Sequence, residues 1–147
     1  MLKLFQRILR RLLGKVQGNA DMYRLPKAAP SAEEAIVPFN PSEHGILPQT
    51  LKQMMDEEQD FVLLDVREQH EYKMAHIEGT KLIPIGQIPH RVAELNPYDE
   101  IVVYCHHGIR SLDATYLLQQ IGFKRVSSLV GGIDRWSREI DPNINQY

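Results

Sequence analysis

Downstream of residue 50 the chain alternates between two hydrophobic rhythms. Short segments at 61–65, 81–85, 101–104 and 125–129, carrying Phe, Val, Ile and Leu, read as strands. Stretches of mixed polarity at 51–58, 68–75, 88–95, 111–118 and 133–140 repeat their apolar residues at helical spacing. In the fourth of these, Leu112, Thr115 and Leu117 or Leu118 face a core, and Gly122 ends the helix. Strands alternating with helices argue for an α/β fold, with a mostly parallel central sheet and helices on both faces. In such sheets ligands bind beyond the carboxyl ends of the strands.

Upstream the pattern changes. Pro26, Pro30, Pro38, Pro41 and Pro48 are five of the nine prolines, so 25–45 reads as an extended linker. Within 1–24, at 100° per residue, Leu2, Phe5, Ile8, Leu9, Leu12, Leu13 and Val16 gather on one side of a helix. Lys3, Arg7, Arg10, Arg11 and Lys15 fill the opposite arc, with Leu4 the one apolar intruder. The predicted organisation is therefore a basic amphipathic helix at 1–24, a Pro-rich linker at 25–45 and a folded domain at 46–147. Charge follows the same division, +5 over 1–24 against −7 over the rest.

The N-terminal helix is too short and too charged to span a bilayer, and it lacks the apolar core of a secretory signal. Three readings stay open: residues 1–16 lying on a membrane surface, an organellar presequence, or a helix docking on a partner or on its own domain. Nucleic acid is not an expected partner, because the folded domain is acidic and no aromatics interleave the basic residues. At 147 residues, 43% hydrophobic and 24% charged, the chain has the make-up of a single ordinary core. One cysteine excludes an internal disulfide framework and suits a reducing, cytoplasmic compartment.

That cysteine opens the run Cys105-His106-His107-Gly108-Ile109-Arg110-Ser111, between a strand end and a helix start. Successive N–H groups in such a turn, backed by the helix dipole, make an anion cradle. The same field and the charge of Arg110 favour a thiolate, which makes Cys105 an expected exposed nucleophile. A lone cysteine is more often a small buried hydrophobe. Against that stand Gly108, which permits a backbone that side chains would block, and an arginine close behind an apolar strand. Adjacent His106 and His107 rarely share one metal, and no other cluster has zinc-type spacing. They read as the polar rim of the pocket, tuning the thiolate; neither a metal nor a cofactor is expected.

Cys105-x-x-Gly108-x-Arg110 after a strand resembles the active loop of rhodanese-type sulfurtransferases. Leu64-Asp65-Val66-Arg67-Glu68 with Glu71-Tyr72 resembles the family's Asp-x-Arg segment. His76-Ile77-Glu78-Gly79-Thr80 before Leu82-Ile83-Pro84 resembles its His-Ile-x-Gly-Ala turn, and Gly131-Gly132-Ile133 with Trp136 its closing Gly-Gly-x-x-x-Trp helix. The motifs run in order over 46–139. The ending Trp136…Asp141-Pro142…Tyr147 is similar to rhodanese domains of enzymes that activate ubiquitin-like sulfur-carrier proteins. Ala75 stands where the family often has Gly, and Thr80 where it often has Ala.

The resemblance implies a three-layer rhodanese-like fold and a Cys105 persulfide that moves sulfane sulfur from thiosulfate or a persulfide donor to a thiol or cyanide acceptor. It makes a sulfur-carrier protein a candidate partner. His106, His107, Gly108, Ile109, Arg110 and Ser111 form the anion-binding loop, with Arg110 bracing it or neutralising the donor. Asp65 and Arg67 support it, Asp65 as a structural ligand and Arg67 as an anion contact, unless the two form only a surface ion pair. With no second thiol, sulfur must leave to an outside acceptor. Two rivals stand beside this reading. One is a non-catalytic rhodanese-like module that binds a partner. The other is a Cys-loop-Arg phosphatase or arsenate reductase, whose loop holds five residues between Cys and Arg rather than the four here; no Asp near the loop suggests itself as its general acid.

Overall fold

Ile101–Tyr104 is apolar throughout and every residue in it is buried, which makes it the middle of the sheet. The computed structural model describes residues 40–147. Its five strands are β1 (Gly45–Ile46), β2 (Val62–Asp65), β3 (Lys81–Leu82), β4 (Ile101–Tyr104) and β5 (Val126–Leu129). They lie in the order β1-β5-β4-β2-β3 and every pairing is parallel. The register runs from Val62 opposite Ile101 to Asp65 opposite Tyr104, so β2 and β4 end level with each other.

Side chains alternate across β4 and divide the core in two. Ile101, Val103 and Cys105 point to one face, where Leu64, Ile88, Ala114, Leu118 and Phe123 meet them. Val102 and Tyr104 point to the other, against Leu51, Met54, Leu63, Ile133 and Trp136. The helices α1 (Pro48–Asp56), α2 (Gln69–Met74), α3 (Ile88–Arg91), α4 (Ile109–Ile121) and α5 (Gly132–Glu139) supply the outer layers. The α/β class, the parallel sheet and the helices on both faces are as predicted.

Several boundaries differ from the sequence reading. The predicted strand 81–85 stops at Leu82, because Pro84 removes a ladder donor and Ile85–Gln87 turns into a 3₁₀ helix. The predicted helix 88–95 is α only to Arg91 and tightens to 3₁₀ over Val92–Glu94. Helix α4 begins at Ile109, directly after Gly108, and buries Ser111, Ala114, Thr115 and Leu118, while Leu112 is half-buried.

Pro41–Tyr147 makes one compact unit. It begins earlier than the predicted 46 because β1 pairs with β5, with Ser128 N–H donating to His44 O (2.7 Å) and Val130 N–H to Ile46 O (2.9 Å). The predicted N-terminal helix and the linker up to residue 39 lie outside the described residues. Among the described residues no helix is long and apolar enough to cross a membrane.

Candidate active site

Strand β4 carries the chain to Cys105, and the backbone then wraps round its sulfur. Gly108, at φ +98°, reverses direction and starts α4. Its N–H points at Cys105 Sγ from 3.1 Å, and the Ser111 N–H does so from 3.3 Å. Ser111 Oγ is 3.4 Å from the sulfur and 2.8 Å from Ser128 Oγ of β5. Both serines are buried, and Thr115 Oγ1 donates to Ser111 O (2.8 Å). The arrangement is a nest of donors at a helix N-terminus, aimed at one sulfur.

Cys105 is 1% exposed, which corrects the expectation of an exposed thiol on a surface turn. The reason is alternation: Cys105 continues the Ile101, Val103 side of β4 and points under α4. Gly108 and Ser111 then close over it. Neither imidazole tunes the sulfur by hydrogen bonding, since the partners of Sγ are Gly108 and Ser111.

The loop is gripped from behind by α5. Ile133 N–H donates to Cys105 O (2.9 Å) and Asp134 N–H to His106 O (3.1 Å). Gly132 lies between, at φ +61°, where a Cβ would stand 2.3 Å from His106 O and 2.5 Å from Cys105 O. Only a residue without a side chain allows this approach.

Arg110 turns away from the sulfur and clasps Glu71, Nη1 to Oε2 and Nη2 to Oε1, both at 2.8 Å. It braces the loop. Hydrogen bonds from Arg110 hold the Glu71 carboxyl at a pKa of about 2, against the opposing effect of burial. Glu71 also accepts from the Glu68 N–H (2.9 Å), closing a capping box at the head of α2.

Asp65 and Arg67 form neither a surface pair nor an anion contact. Both are fully buried, with Nη2 2.7 Å from Asp65 Oδ2 and Nε 3.0 Å from Oδ1. The rest of the guanidinium donates to Ala75 O (2.7 Å), Glu71 O (3.4 Å) and Tyr147 Oη (2.5 Å), leaving nothing for a substrate. Burial opposes its charge, but the bonds to Asp65 win and raise its pKa. Tyr104 Oη takes the Ile77 N–H (3.2 Å) and meets Thr80 Oγ1 (3.1 Å), so the Thr at this position ties the 76–80 turn to β4.

Three rings stack beside the loop: His107 on His106 at 3.9 Å, and His106 on Tyr147 at 4.0 Å. Burial first, then neighbouring His107, lowers the His106 pKa. The structure also brings Asp134 to this rim, its Oδ2 3.7 Å from His107 Nδ1. Asp134 is not legible as a neighbour of the loop from sequence, because it arrives from α5, well along the chain. His106, His107 and Asp134 could converge on one cation, yet Asp134 is already paired with Arg138. Ile109 stands 74% exposed at the head of α4. Glu71, Ser128, Gly132, Asp134 and Tyr147 belong to the site without having been expected there.

The sequence matches the family model of the Rhodanese-like domain over residues 47–139. Among curated relatives, it is 42% identical over 89 residues to the putative sulfur carrier protein YrkF of Bacillus subtilis, covering 60% of this chain and 48% of that one. It is 33% identical over 104 residues to the probable adenylyltransferase/sulfurtransferase MoeZ of Mycobacterium tuberculosis (69% and 26%). It is 34% identical over 90 residues to a sulfurtransferase of Allochromatium vinosum (61% and 84%). The chain spans less than half the length of the first two. A rhodanese-related protein of Thermoplasma volcanium superposes with a TM-score of 0.60 at 29% identity, over 66% of this chain and 93% of that one. Fold, loop and family model agree on the class: this chain belongs to the rhodanese-like domain family.

Proposed function

We propose that the protein is a sulfurtransferase working through a Cys105 persulfide. The observation that carries this reading is the pair of N–H groups, from Gly108 and Ser111, facing Sγ at the head of α4. The Cys105 thiolate attacks the outer sulfur of thiosulfate, the S–S bond breaks, and sulfite leaves with the bonding pair. A persulfide donor reacts alike and releases a thiolate. The negative charge on the outer sulfur of Cys105–S–S⁻ then falls to the loop N–H groups, as an oxyanion does in acyl transfer. An acceptor thiolate or cyanide attacks that sulfur, forms a new persulfide or thiocyanate, and returns the Cys105 thiolate.

The similarity to YrkF, a putative sulfur carrier, and to MoeZ supports a sulfur-carrier protein as physiological acceptor or donor. A single cysteine in the sequence supports a reducing cytoplasm as its location, and the basic amphipathic pattern of residues 1–16 supports contact with a membrane surface. The phosphatase reading loses ground on geometry. Arg110 is spent on Glu71 instead of pointing into the cradle, and Asp134 at the rim is held by Arg138.

Intact-mass spectrometry tests the proposal. Incubation with thiosulfate is expected to add one sulfur, about 32 Da for the thiol-to-persulfide step, and a thiol to remove it. An unchanged mass with thiosulfate and with a persulfide donor would leave the partner-binding module in front.

A further inference from the structure

Tyr147 meets the active loop at two points. Its ring stacks on His106 at 4.0 Å, with the planes 11° apart. Its hydroxyl accepts from Arg67 Nη1 (2.5 Å) and donates to Glu71 Oε1 (3.2 Å). That same Oε1 takes Arg110 Nη2 at 2.8 Å. Residues 106 and 110 flank Gly108, whose N–H faces the sulfur. The Arg67 guanidinium, itself immobilised by Asp65, sits 5.7 Å from the Tyr147 ring centre and anchors it from below. A residue distant in sequence therefore fixes both shoulders of the turn that shapes the anion nest.

We propose that Tyr147 is a positioning residue for the Cys105 loop, acting through its stack on His106 and through Glu71 on Arg110; the proposal rests on the sulfur-transfer reading of that loop. The hydrogen-bond partners of the sulfur are Gly108 and Ser111, not Tyr147. It holds the N–H groups of Gly108 and Ser111 in register with the sulfur, so that the outer atom of a persulfide finds them already aimed. Its two contacts separate by chemistry. Tyr147→Phe keeps the ring on His106 and loses both hydroxyl bonds, while Tyr147→Ala loses everything.

The test follows amide hydrogen exchange residue by residue by NMR in the full chain, beside the rate of persulfide formation with thiosulfate. In Tyr147→Ala, the amides of 106–111 are expected to exchange about tenfold faster while those of β4 stay within about twofold, as for local opening. Persulfide formation is expected to slow about tenfold, with Tyr147→Phe falling between Ala and wild type. Tyr98→Ala, at a side chain 75% exposed on the surface, is the silent control. Unchanged loop exchange in Tyr147→Ala overturns the proposal. So does exchange that rises equally in loop and β4, because that marks general destabilisation. If wild type takes no sulfur from thiosulfate or a persulfide, the sulfur-transfer reading fails, while the exchange data still judge the positioning.

Discussion

Cys105→Ser removes the nucleophile but keeps the shape. A serine hydroxyl there still finds the Gly108 and Ser111 N–H groups and the Ser111 hydroxyl. The variant is expected to melt close to wild type and to take up no sulfur by mass. The tight approach at Gly132 predicts a contrast that Gly86 calibrates. Gly132→Ala drives a methyl into two carbonyls, and is expected to cost about 3 kcal/mol in chemical denaturation together with most activity. Gly86→Ala meets nothing within 4 Å and should leave both within error. Cys105 and Gly108 stood out in the sequence because a lone thiol and a glycine before a helix are local signals. Ser128 did not, and Tyr147 stood out only as part of a family-like ending and not as a site residue, since their contacts are made across 17 residues to Ser111 and 76 to Glu71.

Glu71 joins two elements, capping α2 and holding the first turn of α4 through Arg110. Its carboxyl titrates near 2 in the folded protein, below its ordinary value of 4.5. A depressed carboxyl adds stability above its unfolded pKa and loses it as pH falls through the folded one. Stability from this pair is thus full above about pH 5 and is shed between there and about pH 2. With Arg110 37% exposed, screening limits the contribution to about 2 kcal/mol. Denaturant titrations at stepped pH are expected to show a shallower acid slope for Glu71→Gln than for wild type; equal slopes would refute the assignment. Element positions were readable wherever a run was long enough to show its period, as in β4 and α4. Strand β1 escaped notice because two residues carry no period, and 88–95 misled because Pro89 opens a helical pattern that the backbone tightens after one turn.

At the scale of the whole molecule, the parallel class followed from alternating strands and helices, but the order β1-β5-β4-β2-β3 did not. Nothing local says that residues at 45 and 46 return to the edge beside β5. The N-terminal segment adds a prediction of its own. If its basic arc meets anionic lipid, the full chain is expected to sediment with anionic vesicles at low salt and to be released as salt rises. Each surface-proximal cation contributes about 1 kcal/mol and is screened beyond a Debye length. A chain beginning at Pro41 should stay in the supernatant. Equal sedimentation of the two, or none, would favour a docking helix; thermal melts of the pair would then show whether the segment stabilises its own domain.

The edge strand also determines how the domain bears force. Traction on the chain ahead of Gly45 reaches β5 through the β1–β5 ladder, which Ser128 N–H to His44 O and Val130 N–H to Ile46 O extend at its ends. From Ser128 the line continues through its hydroxyl to Ser111 and thence to the sulfur. His44 also meets Gln119 of α4 at 3.0 Å, so a second strand of tension reaches the helix that heads the loop. Peeling β1 away costs on the order of 1 kcal/mol per bond and leaves Ser128, the partner of the Ser111 hydroxyl, held by β4 on one side only. A pull at this end of the domain is therefore expected to reach the Cys105 loop by way of Ser128 and Ser111.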